Sequence, residues 1–91
     1  MSLQLMPTVS SFFGITIRIY YNDHPPPHFH VYQQTDEAKI GIEGLRVLDG
    51  YLPPRVLRLV RGWAKVHQVD LRENWSLAER HQALKNIAPL E

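Results

Sequence analysis

The chain has 91 residues, 44% of them hydrophobic, which is enough for one compact domain with one modest core. A formal net charge of +1 gives no overall field to draw nucleic acid or a membrane surface, and the absence of cysteine excludes disulfides, thiolate metal sites and cysteine nucleophiles. No apolar run approaches the roughly 18–20 residues of a spanning helix, no contact with a membrane is expected, and a small domain without cross-links is expected in the cytoplasm.

Met1-Ser2-Leu3 reads as a leader with Met6 as the natural start, so residues 1–6 are set aside and the domain is taken as 7–91. From Phe13 to Tyr21 the chain alternates, with Phe13, Ile15, Ile17, Ile19 and Tyr21 on one face and Thr16, Arg18 and Tyr20 on the other. This is the period of a half-buried strand. Asn22 and Asp23 open a turn, and the prolines that follow cannot continue a ladder. A second strand begins near His28, with Phe29, Val31 and Gln33 facing one way and His28, His30 and Tyr32 the other.

Gln34 to Glu37 is a polar loop of four residues, and a third strand follows with Ala38, Ile40 and Ile42 on its apolar side. Closing that loop pairs Val31 with Ile40 and Phe29 with Ile42, so the apolar residues share one face. On the other face it pairs Tyr32 with Lys39, His30 with Gly41 and His28 with Glu43. Leu45 to Leu48 adds a short fourth strand, ended by Asp49-Gly50.

Pro53-Pro54 fits the first turn of a helix whose apolar stripe is Val56, Leu59, Val60, Trp63, Ala64 and His67, with Gly62 suggesting close approach of another element. Its other side carries Arg55, Arg58, Arg61 and Lys65, and no acid occurs between Pro53 and Val69. These cations fall within roughly a third of the circumference and are candidates for binding a phosphate backbone or an acidic partner. Asp70 with Glu73 resembles a capping box and starts a second helix that buries Leu71, Trp75, Leu77, Ala78 and Leu84 and fades before Pro89. The expected fold is α+β: a small antiparallel sheet of three to four strands, with two C-terminal helices packed on its apolar face and the other face open.

Asp23 to His30 reads Asp-His-Pro-Pro-Pro-His-Phe-His and holds three of the five histidines. Residues two apart on a strand project together, so His28 and His30 converge, and a His-x-His pair suits zinc or another first-row divalent ion. Glu43, opposite His28 in the expected register, supplies a third ligand. His24 joins only if the proline run bends, because four polyproline steps span roughly 12 Å. A metal-free reading uses His28 and His30 for acid–base work, with Arg18, Tyr20 and Lys39 around them, as in cleavage of RNA by its own 2′-hydroxyl. A scaffolding reading has the same histidines pack on aromatics and bond to carbonyls. His67 is expected to be a core histidine bonded to a carbonyl, and His81 partly exposed.

The residues Met6-Pro7-Thr8-Val9-Ser10, Phe13-Gly14-Ile15, Tyr20 to His24, Pro26 to Val31, Leu52-Pro53, Val60 to Ala64 and Glu73-Asn74-Trp75 carry a resemblance. The chain resembles a bacterial family of small proteins, the domain of unknown function 4160. Pro25 stands at the variable position of the Asp-His-x-Pro-Pro-His-Phe-His run. The resemblance implies no activity, but it suggests one half of a two-gene module similar to toxin–antitoxin pairs. It implies a small protein partner encoded by a neighbouring gene and keeps RNA as a target. Three functions are therefore expected in turn: a module component whose histidine face contacts or cleaves nucleic acid, a divalent-metal domain, or a non-catalytic interaction domain. An exposed edge strand in so small a sheet also suggests a homodimer.

Overall fold

The computed structural model describes residues 7–91, and the expected leader, 1–6, lies outside them. Five strands form one antiparallel sheet in chain order: β1 (Thr8–Phe12), β2 (Ile15–Arg18), β3 (His28–Gln33), β4 (Asp36–Gly41) and β5 (Val47–Gly50). Two helices follow, α1 (Pro54–Val66) and α2 (Gln68–Glu79). The α+β class is as expected, but the strand count is five rather than three or four.

The additional strand, β1, precedes the segment read as the first strand and is joined to it by a hairpin turn at that segment's start. Phe13 and Gly14 have φ of 51° and 75° and form a two-residue turn between β1 and β2. Two successive residues with positive φ match the twist of a tight hairpin, and Gly14 takes one of those positions without strain. Phe13 is consequently 63% exposed instead of lying on the apolar face.

The β3–β4 hairpin is also tighter than expected. Its loop is only Gln34-Thr35, with Asp36 and Glu37 already in β4. Phe29 therefore pairs with Ile40, Val31 with Ala38, His30 with Lys39 and His28 with Gly41. The register moves by two residues, so every side chain keeps its face while its partner changes. Glu43 is thereby removed from its expected place across from His28. β5 likewise starts at Val47 rather than Leu45.

Phe29, Val31, Ile40, Ile17 and Ile15 are buried on one face of the sheet, where Trp63 of α1 meets Phe29 and Phe12. Pro54 opens α1, as its fixed φ favours, and only His67 separates the two helices. The expected capping box does not form: α2 begins at Gln68 without a side-chain cap, and Asp70 lies in its first turn, 3.5 Å from His67 Nδ1. A carboxylate there still complements the helix dipole. His67 thus meets a carboxylate instead of a carbonyl.

α2 ends at Glu79, well short of Pro89. The tail that follows is held by Asn74, which is fully buried and bonds to both the N–H and the C=O of Lys85 at 2.8 and 2.9 Å. Ile87 then donates its N–H to the Val9 carbonyl of β1, and Trp63 Nε1 donates to Ala88. Trp75 of α2 reaches His28, on the opposite face from Phe29. α2 therefore wraps the end of the sheet, and that end is not open.

Two glycines should respond in opposite ways to alanine. Gly50 has φ of 84°, and a Cβ there would lie 2.3 Å from the Glu37 carbonyl oxygen, whereas nothing stands within 4 Å of a Cβ at Gly62. No element approaches Gly62 closely, contrary to the sequence expectation. Gly50→Ala is expected to lose at least about 2 kcal/mol of stability, and Gly62→Ala to gain about 0.5–1 kcal/mol, from denaturant midpoints.

A histidine and aspartate cluster as candidate metal centre

The turn after β2 and the first residues of β3 bring three side chains to one point. Asp23 Oδ2 lies 2.9 Å from His28 Nε2 and 2.9 Å from His30 Nε2. One donor atom from each of the three residues falls within 4.8 Å of the others. Strand alternation aims both imidazoles to the same side, as expected. Asp23 reaches them across the proline segment, which is anchored where the Ile42 N–H is donated to Pro27 O at 3.0 Å and which contains a cis Pro25–Pro26 bond.

Both rings are buried, His28 at 4% exposure and His30 at 8%, so the expected open face is closed here. The His28 ring has the Trp75 ring 5.3 Å away and the His30 ring at 5.0 Å. Tyr20 covers His30 at 4.4 Å, and the Tyr20 and Tyr32 hydroxyls hydrogen-bond to each other. Burial, followed by that hydroxyl, pushes the Tyr32 phenol far above its ordinary range, so it stays protonated.

The two imidazoles are not equivalent. His30 Nε2 is aligned for a hydrogen bond to Asp23 Oδ2. His28 turns its Nδ1 to the Pro26 carbonyl oxygen at 2.8 Å, and a carbonyl can only accept, so Nδ1 carries the proton. In the neutral ring Nε2 then holds a lone pair. That atom is buried and has no hydrogen-bond partner, although Asp23 Oδ2 is only 2.9 Å away. A lone pair set against a carboxylate oxygen is repulsive, and a proton or a metal cation shared between the two atoms relieves it.

The other residues expected at the site are dispersed. His24 is exposed, and only its backbone N–H takes part, donating to Asp23 Oδ1 at 3.0 Å. Glu43 is exposed and held in a fork by Arg72, Nε to Oε2 at 2.6 Å and Nη2 to Oε1 at 3.0 Å. Neither joins the cluster. Lys39 lies across from His30 in the register. The Arg18 guanidinium sits 5.1 Å over the Tyr32 ring, and its Nε donates to Thr8 Oγ1. Arg55, Arg58 and Lys65 are exposed on α1, and His81 is exposed with its ring stacked on Tyr21.

Asp23 was missed as a site residue because Asn-Asp before prolines reads first as a turn. The signal was its place at the head of the histidine run: a hard oxygen ligand close in sequence to two imidazoles. The Pro26 carbonyl, being backbone, left no trace in the residue types.

Burial pushes the His30 imidazole below its ordinary value of 6.5, outweighing the hydrogen bond and charge of Asp23. For Asp23, burial pushes up, but His30, His28 and the His24 N–H together hold the carboxyl below 3.8. Both groups bind protons less readily in the folded chain than in the unfolded one. Folding stability is therefore expected to decline as pH falls below 6.5, where unfolded His30 protonates first, and to decline further below 3.8. Thermal melts in chelator between neutral and acid pH check this, and His30→Gln should flatten the upper part of the profile.

No curated protein and no solved structure matches the chain. The sequence model of one family, described as a domain of unknown function (DUF4160), matches residues 14–76, including the whole proline–histidine run. The chain belongs to the DUF4160 family.

Proposed function

We propose that this chain is a divalent-metal-binding domain whose ligands are Asp23 Oδ2, His28 Nε2 and His30 Nε2. The observation that carries it is the buried, unpartnered His28 Nε2 facing a carboxylate oxygen while Nδ1 is occupied by Pro26. A metal-ligating histidine commonly donates its other ring nitrogen to a carbonyl or carboxylate, which fixes the tautomer that leaves a lone pair for the ion. Donor atoms around tetrahedral zinc stand about 3.3 Å apart, so the 2.9 Å contacts would open by a few tenths of an ångström on loading.

Two imidazoles and one carboxylate suit zinc or another first-row divalent ion and leave at least one position for water or substrate. His28 borders a pocket of ≈ 210 Å³ that Asp23, Lys39 and Asp49 also line. An ion there could polarise a carbonyl or phosphoryl oxygen, or lower the pKa of a bound water. Lys39 would stabilise negative charge developing beside it. In this reading Arg18 and Tyr20 support the site, since Tyr20 packs on His30 and Arg18 is engaged by Tyr32 and Thr8.

Isothermal titration of tag-free protein with zinc should give one ion per chain and a rise in melting temperature that chelator reverses. His28→Ala and His30→Ala should abolish binding, and Asp23→Asn should weaken it by at least about tenfold. His24→Ala and Glu43→Gln should leave it unchanged. Equal loss in the latter pair, or no saturable binding by the parent protein, would reject the ligand set.

A further inference from the structure

A second surface stands apart from the histidine cluster. Arg55, Arg58, Arg61 and Lys65 follow one another along α1, and no acidic residue lies on that helix. Ten residues of helix cover about 15 Å, so these cations form a line rather than a point. Among the described residues none of the four makes an ion pair, whereas Arg72 and Lys85 are neutralised by Glu43 and Glu73.

Beside this line is a hollow of ≈ 460 Å³, lined by Gly44, Leu45, Arg61, Gly62, Lys65 and Gln68. Three features make it more than a charged helix face. Arg61 donates its Nε to the Leu45 carbonyl at 2.9 Å, which fixes the guanidinium at the rim with its remaining N–H groups free for a ligand. Gly62 puts no side chain into the hollow, and nothing occupies the space its Cβ would take. Gln68 is tied to the Ile42 carbonyl at 2.6 Å and so does not swing across the opening.

We propose that this hollow and the cations leading to it bind the phosphate backbone of a flexible single-stranded nucleic acid. Interfaces between proteins deplete charged residues at their centre, while nucleic-acid interfaces are polar and strongly cationic. Here the lining is two cations, an amide, two glycines and one leucine, which matches the second kind. Arginine gives the planar fork that grips phosphate oxygens in pairs, and a lysine one helical turn on supplies a point charge. The chain's net charge of +1 hides this surface, because no acid lies on α1 and the neighbouring Glu43 is paired with Arg72.

Fluorescence anisotropy with a labelled single-stranded oligouridylate, over a range of potassium chloride, tests the surface. Log affinity should fall with log salt with a slope of about −2 to −3, as expected for three or four phosphate contacts. Arg58→Gln/Arg61→Gln/Lys65→Gln should weaken binding by about tenfold or more and flatten that slope. Arg58→Gln/Lys65→Gln, which removes no contact within the fold, should reproduce most of the loss and excludes misfolding as the cause. Adding zinc or chelator should leave the parent's affinity unchanged, which separates this surface from the metal centre. Absence of binding at low salt, unchanged affinity in the triple variant, or equal affinity for polyglutamate of matched charge would overturn the proposal.

Discussion

A single carboxylate oxygen lies within 2.9 Å of two buried imidazole nitrogens, and the turn from Asn22 to Pro27 is organised around that meeting. An unpartnered polar atom in a buried position costs about 1–3 kcal/mol, and two acceptors in contact add repulsion. The fold nevertheless turns His28 so that its Nδ1 proton goes to Pro26, and in the neutral ring that is the only one. Such an arrangement is unfavourable as scaffolding and favourable as a cation site. The buried aromatic surroundings sharpen the point, since low polarity raises both the cost of the unpaired groups and their attraction for an ion.

The rest of the structure positions this point. β3 is central in the sheet, between β2 and β4, so its backbone is fixed on both sides. Gly41 stands opposite His28, with Leu48 packed where its side chain would be, while Trp75 closes the end. Trp75 is carried by α2, and the residues next to it tie α2 to the tail: Asn74 through the Lys85 backbone, Glu73 through the Lys85 ammonium at 2.7 Å. The Glu73-Asn74-Trp75 triplet therefore links the C-terminal segment to the lid over His28.

Period-two alternation in the middle strands was legible in the sequence, because it depends on side-chain type alone, and it put His28 and His30 on one side correctly. Pairing partners were not legible. The choice between a two-residue and a four-residue loop at Gln34 keeps every apolar residue on its face, so hydrophobicity could not decide it, and Glu43 was misplaced as a result. The Phe13-Gly14 turn was hidden because a phenylalanine at an alternating position looks like core, although it is 63% exposed. Closure of the histidine face was hidden too, since it depends on Trp75 and on a proline segment whose path is tertiary. The apparent capping box at Asp70 failed because α1 and α2 follow each other with one residue between them, which leaves no room for a separate cap.

The most direct test is the protonation state of the His28 ring. Long-range nitrogen–proton correlation spectra of the labelled protein at neutral pH report each imidazole nitrogen separately. The account requires a protonated Nδ1 and a bare Nε2 at His28, with Nε2 of both His28 and His30 moving together when zinc is added. A proton found on Nε2 at neutral pH, with neither ring responding to the ion, would contradict it.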